Sequence, residues 1–319
     1  MVKGAIVKGT TVKETAVQKP TADTGVLVKD MKVSRSMRVF RVANLVFLLV
    51  VVFLTMYPFL NILAQSFSSE GFINAGQVNL FPLGFNTQTY QLILADSVFW
   101  RNYGNTVLYT VVATAISMVL TTSFAYAIAK KDLKGRSVFI GIAVFTMFFN
   151  GGLIPNYVLI TSLGMRDTLW AVVLPNAISV FNLLIMKSFF ENMPRELEEA
   201  AAIDGLTQYG VLFKVVLPLS KAIVATMVLF YAVANWNSWF QAFLYLDNPD
   251  LFPVTIYLRN MIAGVTTAGS AGGTAENVGQ IAANIQSVTI VLTIIPILCV
   301  YPFVQKYFFS GVMLGSVKE

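Results

Sequence analysis

The sequence contains no histidine and a single cysteine, Cys299, in 319 residues. The first absence removes the commonest general base, the usual metal ligand and the near-neutral pH switch. The second excludes an intramolecular disulfide and a thiolate metal cluster. Charge is also scarce, at 12% of residues against about 25% in a water-soluble domain. The apolar share is 56% and the mean hydropathy +0.70. So few charges cannot cover a surface facing water, so most of that surface must face lipid. A soluble enzyme, a disordered chain and a disulfide scaffold are thereby set aside. Six helices of about 20 residues, roughly 120 in all, fit easily within the length.

What is present in place of charge is a set of six apolar stretches without Asp, Glu, Lys or Arg. They run over residues 42–65, 104–129, 137 to about 155, 168–186, 222 to about 245, and about 285–305. An ionised group inside a bilayer costs several kcal/mol, so its absence is the expected mark of a span. Each stretch can cross a ~30 Å hydrocarbon core as a helix, the third and fourth near the short limit. Pro58, Pro175 and Pro296 fall inside or near the ends of spans, where kinks are tolerated. Small residues along the second span (Thr114, Ser117, Thr121, Thr122 and Ser123) read as helix packing. The expected fold is all-α, a polytopic membrane protein of six helices over 38–319, preceded by a polar tail, 1–37.

The distribution of cations sets the expected direction. Nineteen of the 22 Lys and Arg residues fall on one side of the six spans; Arg101, Arg166 and Arg259 fall on the other. By the positive-inside rule both termini are cytoplasmic. The net charge of +6 is then a topology signal, and no nucleic-acid partner is expected. The first forty residues lack the apolar run of a signal peptide and read as a flexible cytoplasmic tail. Gly4 and Gly9 have the outer spacing of a phosphate loop, but Thr10 stands where that loop needs lysine.

The long connection, about 187–221, is internally organised. Pro194 suits the first helical position, and Glu196, Glu198 and Glu199 favour the positive end of the helix dipole. Gly205 is placed to end the helix in the left-handed conformation. A second short helix, about 207–216, follows, and Pro218 is expected to break it before span five. Glu196, Glu199, Ala200 and Ile203 share one face of the first helix. Alanines 200–202 keep that helix slim enough to enter a groove on another protein. Helices that rest on lipid are usually basic, and this one is acidic.

At these residues the chain resembles a known family. Glu199, Ala200 and Ala201, then Asp204 and Gly205, then nine residues and Val215, Val216, Leu217 and Pro218, are similar to the EAA motif. That motif marks the membrane subunits of ATP-binding-cassette importers; Val215 replaces its usual isoleucine. The wider resemblance, over about 38–319, is to carbohydrate permeases of the maltose-transporter type, the type I importer fold. Phe99–Thr106, Gly151–Pro155, Trp236–Trp239 and Gly311–Lys318 support it. The resemblance implies a non-catalytic subunit whose elbow is a coupling helix, docked on a cytoplasmic ATPase dimer. ATP would be bound by that partner, and this chain would need no cofactor or metal. A second, dissimilar permease subunit and an extracytoplasmic sugar-binding protein are the other implied partners. Glu199 and Asp204 would contact the ATPase, with Glu196 and Ile203 on the same helix. Ala200 and Ala201 would allow close approach, Gly205 would set the bend and Pro218 would close the motif.

Candidate sugar contacts come from residue chemistry. Trp236, Trp239, Phe240 and Phe243 fall at i, i+3, i+4, i+7 on span five, flanked by Asn235, Asn237 and Gln241. This stripe fits either a polar-aromatic wall of the translocation path or an interfacial aromatic belt. The amides favour the path, because amides facing lipid are costly. Asn150, with Asn176 and Asn182, fits either the path or interhelical hydrogen bonds. The outer loop, about 246–284, is glycine-rich in its second half; in relatives it meets the binding protein. A secondary transporter is the alternative, but it would normally need an intramembrane acid, and no span holds one. An intramembrane enzyme would need a histidine, paired carboxylates or an activated serine.

Overall fold

In the computed structural model, residues 35–261, 284–299 and 302 are described. Residues 1–34 of the expected tail, the glycine-rich half of the outer loop and the Gly311–Lys318 ending therefore lie outside the described residues, while 35–37 of that tail belong to the first helix. Among those described there is no strand. The chain divides into two compact units, Met1–Leu54 and Thr55–Glu319. Helix α1 (Arg35–Ser66) is apolar on every side, and all its described residues up to Leu54 are exposed. A helix with no polar face is the form suited to a membrane span.

In the second unit, α2 (Glu70–Asn74) and α3 (Gln88–Ala95) lead to α4 (Ser97–Ala129). The Asp96 side chain caps α4 by accepting from the Val98 amide at 2.9 Å. Helix α4 packs most extensively on α8 (Val180–Glu191) and α12 (Lys221–Trp236). Ala113, Thr114, Ser117, Thr121, Thr122 and Ala125 form the buried face that permits this. Small side chains let helix backbones approach where lipid offers no hydrophobic drive for association. The Thr121 and Tyr231 hydroxyls lie 2.6 Å apart, and Tyr231 also accepts from the Ser179 amide. Ser123, expected in the same packing, is exposed.

Alone, α1 and α4 are long and apolar enough to cross a bilayer; up to four described spans result if each bent pair counts as one. Three expected spans are interrupted, each for a local reason. The third breaks between α5 (Arg136–Phe148) and α6 (Leu153–Ser162), which meet at 115°. There Gly152 adopts φ +91°, and Asn150 Oδ1 accepts from its amide at 2.9 Å, closing an Asx turn. The fourth divides into α7 (Leu169–Val173) and α8, because Pro175 has no N–H to continue the ladder. The fifth ends at Trp236 and restarts as α13 (Phe240–Tyr245). Asn237 Nδ2 donates to the Val233 carbonyl at 2.8 Å, competing with continuation of the helix. Beyond α13 lie α14 (254–261) and α15 (Asn284–Cys299).

Candidate functional site

The elbow of the long connection is built on one helix end. Helix α9 (Arg195–Ile203) has Pro194 as its N-cap, one position earlier than expected, with Glu196 and Glu198 in its first turn. Asp204 is the C-cap, and Gly205 follows at φ +78°. The Gly205 amide donates to the Ala202 carbonyl at 3.0 Å, and the Leu206 amide to Ala201 at 3.1 Å. This pair of bonds is the Schellman motif, which needs the left-handed residue that glycine supplies without strain. Thr207 then caps the next helix by accepting from the Gly210 amide.

That second helix is longer than expected. It runs as α10 (Gln208–Val211), a widened π turn over Leu212–Val216, and α11 (Leu217–Leu219). Pro218 does not break it. With no N–H to offer the Lys214 carbonyl, Pro218 ends a turn that has opened to π geometry. The break comes two residues later, at buried Ser220, where α12 leaves at 88°.

The elbow has an inner and an outer face. Ala201, Val211, Leu212 and Val216 are buried in one cluster with Ala125, Ile128, Leu183 and Met186 from α4 and α8. Lys130, at the end of α4, pairs with Glu198, and its ammonium lies 4.2 Å above the Tyr126 ring. Tyr126 donates to Gln208 Oε1 at 3.3 Å, so both limbs of the elbow are tied to the end of α4. A cleft of about 350 Å3 opens beside these ties, lined by Lys130, Asp132, Arg195, Glu198 and Glu199 among others. Outward, Glu196, Glu199, Ala200, Ile203 and Asp204 are exposed. Ala201 is not on that face: it is 5% exposed, so the close approach it permits is to its own chain. Two residues that motif reasoning passed over extend the outer face. Tyr209 is 76% exposed, Phe213, four residues on, is also exposed, and Ile203 stands at 87%. Their i, i+4 spacing was the available signal, and an exposed apolar patch of this kind marks an interaction surface.

Beneath the elbow, Glu191 receives hydrogen bonds from Lys187 and Arg136, each at 2.6 Å, and Arg136 also donates to the Ile128 carbonyl. The Lys187 hydrogen bond, with the charges of Lys187 and Arg136 adding to it, holds the Glu191 carboxyl below its usual range despite partial burial. A depressed folded-state pKa contributes stability above the unfolded value, about 4.5, that is lost as pH falls through the folded one. Glu191→Gln should therefore destabilise the detergent-solubilised protein by about 1–2 kcal/mol at neutral pH. In thermal melts the gap from wild type should close as the pH drops below about 4.5; a gap independent of pH would contradict this account.

The candidate sugar contacts are dispersed. Trp236 is buried, donates from Nε1 to the Thr293 carbonyl at 3.1 Å and meets Tyr103 edge-on. The helix break separates it from Trp239, Phe240 and Phe243, so the expected four-residue stripe does not exist. Asn235 Nδ2 reaches Thr114 at 3.3 Å, an interhelical bond, and Asn237 is occupied with its own helix end. Gln241 Oε1 accepts from Ser238 at 2.9 Å. Asn150 is exposed and committed to its turn, while Asn182 is buried and Asn176 exposed.

Residues 136–314 match the family described as "Binding-protein-dependent transport system inner membrane component". The chain belongs to that family. Its matched region includes the whole elbow. "Protein LplC" of Bacillus subtilis (strain 168) is 40% identical over 291 residues, spanning 91% of this chain and 99% of that protein. "Polygalacturonan/rhamnogalacturonan transport system permease protein YtcP" of the same organism is 40% identical over 276 residues, 85% of this chain and 96% of that one. A solved structure described as "Crystal structure of a bacterial ABC transporter involved in the import of the acidic polysaccharide alginate" superposes with a TM-score of 0.77. Its identity is 34%, over 86% of this chain and 98% of that chain. As an inner membrane component, this permease is a multi-pass protein of the bacterial plasma membrane and works in transport.

Proposed function

We propose that this chain is the membrane-spanning permease subunit of an ATP-driven importer of oligosaccharides, coupling closure of a partner ATPase to alternating access. The elbow carries the reading. Its inner face is locked to α4 and α8, and its outer face presents acids beside exposed Ile203, Tyr209 and Phe213. A push on the outer face is transmitted to α4, which at 33 residues is about 50 Å long. Family membership supports coupling to a binding protein and an ATPase. The names of the polygalacturonan and alginate relatives support a saccharide cargo.

On this reading Glu196, Glu199, Ala200, Ile203, Asp204 and Gly205 form the ATPase-facing surface, and Tyr209 and Phe213 belong with them. The six apolar stretches correspond to α1, α4, α5, α8, α12 and α15, with both termini cytoplasmic. The chain itself hydrolyses nothing, and a second permease subunit completes the path. Affinity purification of the tagged chain from its native membrane should recover an ATPase and a second permease. A chain that transported alone, driven by an ion gradient, would refute the proposal.

A further inference from the structure

The end of this unit opposite the elbow holds three cations, and one is held differently from the others. Helix α12 starts at the elbow and runs about 22 Å to Trp236. There Arg101 pairs with Asp250, and Arg166 with Asp247 at 2.8 Å. Arg259 has no carboxylate partner among the described residues. Its guanidinium instead lies 4.1 Å from the centroid of the Phe243 ring and 5.6 Å from that of Trp239. A guanidinium held over a ring by cation–π attraction, with no carboxylate among the described residues, keeps N–H donors to offer an acceptor. The rings beneath are themselves open, Trp239 at 41% and Phe243 at 47% exposure.

The surroundings fix Arg259 in this position. Thr255, one turn earlier on α14, donates to the Ser238 carbonyl at 3.1 Å, and Tyr257 donates to Asp96 at 2.8 Å. These bonds hold α14 against the α12–α13 break and the start of α4. The break itself indicates what the patch faces. Asn237 and Trp239 are exposed non-helical backbone within an apolar stretch of span length. Such backbone is tolerated at membrane depth where it is buried in protein or lines a water-filled cavity, not against lipid, and the polar, exposed Asn237 suits the cavity.

We infer that Arg259, with Trp239 and Phe243, forms a subsite for uronate-bearing oligosaccharides, the guanidinium binding the sugar carboxylate and the indole supporting the pyranose face. A planar guanidinium matches a carboxylate bidentately, and a neutral sugar offers it no such partner. This inference rests on the importer reading above and narrows its cargo to acidic sugars.

The test uses the assembled importer with its own binding protein in proteoliposomes. The probes are trigalacturonate, trimannuronate and their methyl esters, in which each carboxylate charge is removed at the cost of one added methyl group. The wild type should import at least one of the acids. Arg259→Gln should lower its uptake about tenfold, the loss of one charge-assisted contact, and leave its ester unchanged. Arg259→Lys should restore part of the acid uptake. Equal effects on acid and ester, or no effect on either, would overturn the subsite. An equal loss that follows the anionic lipid content would assign Arg259 to the headgroup layer instead. A wild type importing neutral oligosaccharides but no uronide would also overturn it, with the importer reading intact. A wild type importing no oligosaccharide of any kind would refute the importer reading itself.

Discussion

Replacing Gly205 by valine is expected to cut uptake by the assembled importer more than about fivefold while ATP hydrolysis continues. The reason is conformational. Gly205 sits at φ +78°, and a Cβ added there would meet nothing within 4 Å, so no clash contributes. The cost is the left-handed backbone itself, about 1–2 kcal/mol for an L-residue and more for a β-branched one. That is a factor of about 5–30 in the population of the native elbow. The chain escapes the strain by undoing the two Schellman bonds at Ala201 and Ala202, which rotates α10 against α9. Ile203 and Tyr209, on either side of the bend, then no longer face one partner together. Gly205→Asn should retain most uptake, because asparagine tolerates this conformation, and Gly205→Ala should fall between. Uptake and ATPase rates measured on the same proteoliposomes separate uncoupling from failed assembly. Full uptake by the valine variant would remove Gly205 from the coupling role.

The parts of this architecture legible from sequence are those in which one residue type has one physical consequence. An ionised side chain is costly in lipid, so the charge-free stretches mark the C-terminal ends of α1 and α4, while both helices begin seven residues earlier, across arginines. A glycine after an amphipathic run has few other uses than a C-terminal cap, and Gly205 has the geometry expected of it. Breaks inside apolar stretches were harder to see. Gly152, Pro175 and Asn237 are each tolerated in some membrane helices, and whether the helix continues depends on neighbours far away in sequence. Trp236 and Trp239 show the consequence. Their i, i+3 spacing places them together only if the helix is continuous, and the break at Asn237 sends one inward and leaves the other exposed. Pro218 failed as a breaker for a related reason, since a π turn absorbs the missing hydrogen bond. Arg259 gave no sequence signal beyond being an outer-side cation. Its stacking on rings sixteen and twenty residues earlier is a tertiary fact.

The adjacent alanines of the elbow mark the limit of motif reading, and they should behave in opposite ways. Ala200 and Ala201 are chemically identical and one residue apart, yet a helix turns 100° per residue, so only one lies on the inner face of the elbow. Ala201 is buried against the cluster that includes Val211, Leu212 and Met186, while Ala200 is exposed. Ala201→Leu adds three carbons to a filled space, and overpacking of this kind costs about 1–3 kcal/mol. The relief available is to lift α9 from the ends of α4 and α8, straining the Lys130–Glu198 pair and the Tyr126–Gln208 bond. This variant should therefore lower the melting temperature of the solubilised permease and reduce transport in parallel. Ala200→Leu should leave the melting temperature unchanged, because exposed substitutions typically stay within about 0.5 kcal/mol. Its effect should appear only when the ATPase is present, as weaker association and lower transport-linked hydrolysis. Melting curves for both variants, with and without the ATPase, decide the assignment. If Ala200→Leu destabilised the permease alone and Ala201→Leu did not, the inner and outer faces of the elbow would be the reverse of those described.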